Sequence, residues 1–150
     1  MEEIEHKYLV DHVAWKALSK PPPVKIVQGF ISRSPESIVR IRIKGNKGFI
    51  AIKGKSVGIT RSEFEYEIPL QDAEDLLNEF TDKQIRKQRY EIPIRDHIWE
   101  VDVFEGPLKG LILAEIEVKS EEEKFDLPYW VSEDVSRNPD YYNSVLIEKC

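Results

Sequence analysis

The residues able to do chemistry in this chain are charged, spaced two apart, and largely sorted by sign. Glu3 and Glu5 lead to Lys7. Arg40, Arg42 and Lys44 form a basic set. Arg61 precedes Glu63, Glu65 and Glu67. Then come Lys87 with Arg89, Glu100 with Asp102, and Glu115 with Glu117. In an extended strand, residues two apart point to the same face. Each set therefore shares a face, opposite apolar neighbours such as Ile4, Tyr8 and Val10, or Val39, Ile41 and Ile43, or Phe64, Tyr66 and Ile68. Lys53 likewise faces away from Ile50 and Ile52. An antiparallel sheet with one wet face also alternates in this way, and a solvated face is the commoner origin of such a pattern. A solvated face would mix its signs more freely. Grouped carboxylates suit a hard cation held through oxygen, and grouped Arg and Lys suit phosphate oxygens, which Arg grips as a fork. If this face points into a barrel, the cost of burying so many charges calls for water, ions or a ligand inside.

The elements that must position these residues are mostly strands. Period-2 alternation predicts strands over Glu3–Val10, Ile38–Lys44, Phe49–Lys53, Arg61–Ile68, Ile85–Ile92, Ile98–Phe104 and Leu111–Lys119. A weaker candidate, Val24–Ser32, follows the prolines Pro21 to Pro23, making about eight in all. Gly45-Asn46-Lys47-Gly48 is a hairpin signal, and Gly54 to Gly58 and Gly106-Pro107 mark further loops. Helical spacing of Ala73, Leu76, Leu77 and Phe80 predicts a helix over Asp72–Phe80, with a start signal in Gln71-Asp72. Asp11–Leu18 and Asp140–Glu148 are the other helix candidates. The residues alone imply one mostly-β domain, either a barrel or a strongly curved sheet, with a few short helices.

Composition narrows the function. The chain has 150 residues, enough for one domain with a real core, and 33% of them are charged. Net charge is −6, without the basic surplus of a general nucleic-acid binder, so any anion site must be built locally. Cys150 is the single cysteine, which excludes an intrachain disulfide framework and fits a reducing cytoplasm. The acidic N-terminus does not read as a signal peptide, and no apolar run approaches the roughly 18 residues of a membrane span. The three histidines, His6, His12 and His97, lack metal-ligand spacing, and Trp15, Trp99 and Trp130 read as packing residues. A homodimer is compatible with the sequence, but no motif marks one.

Glu3-Ile4-Glu5-His6-Lys7 fits E-x-E-x-K. The chain then carries Gln28-Gly29-Phe30-Ile31, Val39-Arg40-Ile41-Arg42-Ile43-Lys44-Gly45, Ile50-Ala51-Ile52-Lys53-Gly54 and Arg61-Ser62-Glu63-Phe64-Glu65-Tyr66-Glu67-Ile68-Pro69. It continues with Lys87-Gln88-Arg89-Tyr90, Trp99-Glu100-Val101-Asp102-Val103-Phe104, Ala114-Glu115-Ile116-Glu117 and Tyr141-Tyr142-Asn143-Ser144. In order and extent these stretches resemble the short bacterial branch of the CYTH family, the triphosphate tunnel metalloenzymes. The resemblance implies a mainly β fold: a closed eight-stranded antiparallel barrel, 1–150, whose charged face lines a tunnel, with short helices packed outside. It implies metal-dependent hydrolysis of a triphosphate, inorganic tripolyphosphate foremost, with Mg²⁺ or Mn²⁺ as cofactor. It also implies roles. Glu3, Glu5, Glu115 and Glu117 would bind metal. Asp102 and Glu63 or Glu65 would serve a second metal and the attacking water. Lys7, Arg40, Arg42, Lys53, Lys87 and Arg89 would hold the triphosphate. Arg61 would either bind phosphate or neutralise Glu63 and Glu65, and Lys44, at a strand end, is expected in solvent.

Two departures from the family pattern stand out. Phe30 replaces a common tyrosine thought to partner the motif lysine, here Lys7; the change either alters catalysis or is a packing variant that keeps the aromatic body. Val131-Ser132-Glu133-Asp134-Val135-Ser136 replaces a usual Gly-x-Glu-Val-Thr, in a segment expected to cap the tunnel. The competing functions are a binding module that holds polyphosphate or a nucleoside triphosphate without turnover, and an adenylyl cyclase, for which no sequence feature specifies an adenine pocket.

Overall fold

The computed structural model describes all 150 residues. Every predicted strand forms, within a few residues of its expected ends: β1 (Glu2–Val10), β2 (Val24–Ser34), β3 (Ser37–Lys44), β4 (Lys47–Lys53), β5 (Thr60–Ile68), β6 (Ile85–Ile94), β7 (His97–Phe104) and β8 (Ile112–Glu117). All neighbours are antiparallel, and the order β5-β4-β3-β2-β6-β7-β8-β1 closes through a further β1–β5 pairing. That closure is brief: Glu2, Glu3 and Ile4 face Ser62, Arg61 and Thr60. The remainder of the same β1 edge is taken by a ninth strand, β9 (Val131–Asp134), where Tyr8 meets Asp134 and Val10 meets Val131. The segment expected to cap the tunnel is thus part of its wall. Its four residues alternate too briefly to be read as a strand; pairing with β1 makes it one.

Two layers cover the outside of the ring. Helix α1 (His12–Ala17), capped by the Asp11 carboxylate on the Ala14 N–H, brings Trp15 against Trp130 and Tyr90, and Trp130 in turn packs on Trp99. These rings bury the outward face of β1, β7 and β8, including Tyr8, Val101, Ala114 and Ile116. Helix α2 (Leu70–Phe80) lays Ala73 and Leu77 on Ile41 and the outward residues of β2 to β4. It begins earlier than predicted, directly after Pro69, with no side-chain cap, so Gln71 and Asp72 lie within its first turn. Gly48 permits the contact: a Cβ there would stand 2.6 Å from the Ala73 Cβ.

The inward face has two parts. The charged residues line one stretch. The other is apolar, with Phe30, Ile38, Ile85, Phe104 and Leu113 turned inward on their strands and packed against Leu146 and Ile147 from the C-terminus. The predicted helix over Asp140–Glu148 is broken into a 3-10 turn (Pro139–Tyr141), a short α3 (Asn143–Leu146) and a second 3-10 turn (Ile147–Lys149). Residues 143–149 are helical throughout, as expected for most of that span, and the break falls at Tyr142.

Candidate anion and metal chamber

Every residue expected to bind metal, hold phosphate or position water lines one cavity of about 290 Å³, with the exception of Asp102. The strands bring them there by pairing. Lys7 faces Glu115 and Glu5 faces Glu117 across β1–β8, Lys53 faces Glu63 across β4–β5, and Arg89 faces Asp102 across β6–β7. Lys44 lines the same wall and pairs with Glu91 at 3.0 Å, so it is not the free solvated lysine expected from its strand-end position.

The cations lie deepest. Lys7, Arg40, Arg42, Lys87 and Arg89 are each at most 9% exposed; among the carboxylates Asp102 is as deep, and Glu115, its side chain 12% exposed, lies close behind. Arg89 grips Asp102 with Nε and Nη2 at 2.7 and 2.9 Å, and Lys87 Nζ lies 2.7 Å from the same carboxylate. Burial favours neutral Asp102, but Arg89 and Lys87 hold it well below the usual carboxylate range. Burial pushes the Lys87 amine down to about 7; Asp102 opposes this, and the charges on Arg89 and Arg42 reinforce it. Burial likewise lowers Arg42, helped by Arg40 and Arg89. Arg40 bonds Glu65 at 2.8 Å, yet its buried Nε has no hydrogen-bond partner. A buried guanidinium N–H without an acceptor is costly unless a ligand supplies one. Lys7 Nζ donates to the Tyr141 carbonyl at 3.0 Å and lies 3.9 Å from Glu115. Arg61 pairs with neither Glu63 nor Glu65. It donates to Ser56 Oγ and stacks its guanidinium over Tyr142 at 5.6 Å.

The carboxylates crowd one another. Glu5 and Glu117 face across two strands and neither makes a salt bridge; like charges in that relation destabilise a sheet. Burial, with Glu63 and Glu115 nearby, pushes Glu3 up to about 7, against the pull of Lys53 at 3.2 Å. Burial and the charges on Glu115 and Glu3 push Glu5 well above its ordinary range. Glu117 is raised for the same kinds of reason, by burial, Glu3 and Glu100. Glu63 is partly buried, but a hydrogen bond with Glu3 and the charges on Lys53 and Arg40 keep it low. No three of these side chains form a ready-made cage. The set nevertheless fits a hard divalent cation: it offers only carboxylate oxygens, clustered beyond what the nearby lysines neutralise, and a cation would relieve their mutual repulsion. Asp102 stands apart, its oxygens engaged by Lys87 and Arg89.

Charge periodicity alone could not find several residues on this wall. Gln28, fully buried, accepts from Arg42 Nε, and Asn143 Oδ1 accepts from both Gln28 and Lys87. Tyr142 lies between Lys7 and Arg61. Ser136 Oγ accepts the Lys7 backbone N–H at 2.8 Å. Gln28, Tyr142 and Asn143 fall in the stretches that resemble the family, a signal that marked them without giving them a role.

An eight-strand closed ring with a charged, metal-compatible interior defines a class. The CYTH domain model matches residues 1–144, and the chain belongs to that family. It is 40% identical over 148 residues to the inorganic triphosphatase of Acetivibrio thermocellus, covering 98% of this chain and 94% of that protein. It is 33% identical over 150 residues to the inorganic triphosphatase of Nitrosomonas europaea, covering 97% of each. A crystal structure of an inorganic triphosphatase superposes with a TM-score of 0.65 at 29% identity, over 97% of this chain and 93% of the other.

Proposed function

We propose that this protein is a divalent-metal-dependent triphosphatase whose substrate is inorganic tripolyphosphate. The observation that carries this reading is the cluster of buried cations Lys7, Arg40, Arg42, Lys87 and Arg89 on one wall, with Arg42 lacking any carboxylate partner and the buried Arg40 Nε unpaired. A small polyanion would satisfy that charge. Lys7, Arg40, Arg42, Lys53, Lys87 and Arg89 hold its phosphate oxygens and neutralise charge that water would otherwise solvate. Asp102, expected at first beside a metal, fits better as the anchor that orients Lys87 and Arg89. Arg61, held by Ser56 and Tyr142, extends the basic wall.

Glu3, Glu5, Glu115 and Glu117 would hold the metal, Mg²⁺ or Mn²⁺ by donor type. When bound, it would supply positive charge that stabilises the transferred phosphoryl group. Glu63 is held ionised beside Glu3 and Lys53, so it can orient a water for in-line attack and accept its proton. Glu65, tied to Arg40, positions that guanidinium. The attack forms a phosphorus–oxygen bond and breaks the terminal bridging one, releasing phosphate and diphosphate. The cavity lies at the lower end of the roughly 300–1,000 Å³ of small-molecule sites. Its few apolar wall residues, among them Phe30, Ile38, Phe49 and Ile59, favour a bare polyphosphate over a nucleotide. Substitution of the tyrosine hydroxyl by Phe30, near the Lys7 end of β1, supports the second reading, a module that binds without hydrolysis.

Phosphate release from tripolyphosphate separates the two. We expect release with Mg²⁺ or Mn²⁺, abolished by chelation, with Glu5→Ala and Lys7→Ala each lowering kcat by roughly 10²–10³. Metal-dependent binding without release would put the binding module in first place.

A further inference from the structure

Arg42 has no carboxylate partner although it is buried among other cations. Its Nε donates to Gln28 Oε1 at 2.8 Å. Gln28 Nε2 donates to Asn143 Oδ1 at 2.8 Å, and Lys87 Nζ donates to the same oxygen at 2.9 Å. The amide orientations follow from chemistry. Arg and Lys can only donate, so Gln28 must turn its oxygen to Arg42, and its nitrogen then faces Asn143. Asn143 must in turn present oxygen to both of its donors. The chain Arg42–Gln28–Asn143–Lys87 continues through Asp102 to Arg89. Gln28 is wholly inaccessible, and Asn143 lines the cavity at the start of α3.

An aspartate at 143 would accept the same two hydrogen bonds, the one from Lys87 more strongly because that donor is charged; a glutamate at 28 would accept more strongly from Arg42 but give up the donation to Asn143. The added charge would also give Arg42 a counter-charge it lacks, or Lys87 a second one beside Asp102. Neutral amides forgo that stabilisation. What they achieve is direction without neutralisation: the guanidinium and the amine are aimed by dipoles, and their positive charge stays available to an incoming anion. We propose that Gln28 and Asn143 are positioning residues of the triphosphate site, neutral acceptors that orient Arg42 and Lys87 while keeping the pocket's positive charge intact. This inference rests on the triphosphatase reading above. It also gives the C-terminal segment a part in the site: through Asn143, that segment places an acceptor against Lys87 from 56 residues further along the chain.

Isosteric charge insertion tests it. Asn143→Asp keeps the shape and both accepted bonds and adds a negative charge; Gln28→Glu adds the charge beside Arg42 but loses its donation to Asn143. We expect the melting temperature to hold or rise in Asn143→Asp and to hold or fall slightly in Gln28→Glu. The KM and Kd for tripolyphosphate should rise about ten-fold or more, with kcat changed much less. Asn143→Ala, which removes the acceptor without adding charge, should lower the melting temperature and weaken binding less than Asn143→Asp does. A purely structural role would leave KM at the parent value in the folded charge variants, and that result overturns the proposal. So does a loss of affinity in Asn143→Ala equal to that in Asn143→Asp, because charge would then be irrelevant. Two sites are tested so that misfolding of one variant leaves the other to decide. A parent protein that does not bind tripolyphosphate would instead sink the triphosphatase reading itself.

Discussion

Asp102 is the residue on which the basic wall turns. It is 1% exposed and is held by Lys87 and by a two-pronged contact from Arg89. Buried ion pairs contribute little compared with an apolar replacement, but removing one partner leaves an uncompensated charge. Asp102→Asn should therefore destabilise the protein by about 3–5 kcal/mol. At roughly 2–4 °C per kcal/mol for a chain of this size, calorimetry should record a fall in melting temperature of about 6–20 °C. A change within a degree or two would mean that Lys87 and Arg89 are satisfied without it. The carboxylates have the opposite relation to their surroundings. Glu3 and Glu5 are buried beside other carboxylates, with Lys53 only partly offsetting the effect, so their charged forms are disfavoured until a cation joins them.

Among the elements, α2 shows how narrowly sequence can license a packing contact. Its Ala73 rests against β4 only because Gly48 has no side chain, and the added methyl of Gly48→Ala would meet the Ala73 Cβ at 2.6 Å. The helix or the strand must shift. Overpacking of this kind costs about 1–3 kcal/mol, which chemical denaturation should show as a lower midpoint with an unchanged slope. A midpoint equal to the parent's would mean that α2 is mounted more loosely than the structure shows. The C-terminal segment is the other decisive element. Leu146 and Ile147 fill the apolar part of the barrel's interior, and Asn143, three residues earlier, reaches the charged part. One short piece of chain thus packs the barrel and helps to order its site.

Across the whole molecule, the metal-free protein should respond to pH against the common trend. Glu3 is raised from 4.5 to about 7 in the fold. A carboxyl group raised on folding contributes stability while it is protonated in the fold, and that contribution is lost as pH rises from about 4.5 through about 7. Glu115, lowered to about 2, contributes above about 4.5 and loses its effect only as pH falls toward 2, so the two windows do not overlap. Without metal, the melting temperature should lose this contribution between pH 5 and pH 7; above that, Lys87, lowered to about 7, adds stability as pH rises. Added Mg²⁺ or Mn²⁺ should raise the melting temperature more at pH 8 than at pH 5, because the metal must displace the proton that Glu3 holds. An equal metal effect at both values would remove Glu3 from the ligand set.

The strands, the two faces of each, and the sign of the charged face were legible in the sequence, because period-2 alternation is a local property and each strand carries its own copy. Recognition of the CYTH pattern supplied what alternation could not, namely that the charged face turns inward. Tertiary structure alone decided the rest. The ring closes through only three β1–β5 pairs, and β9 completes that edge. The C-terminal helical turns place Leu146 and Ile147 in the barrel's interior. Asp102 lies among cations instead of lining the cavity, and Gln28 and Asn143, which carry no charge, join the site. Each of these depends on partners far apart in the chain. The energies that place them, the pairing of a buried charge and the exclusion of water from an apolar mouth, exist only once the barrel has closed.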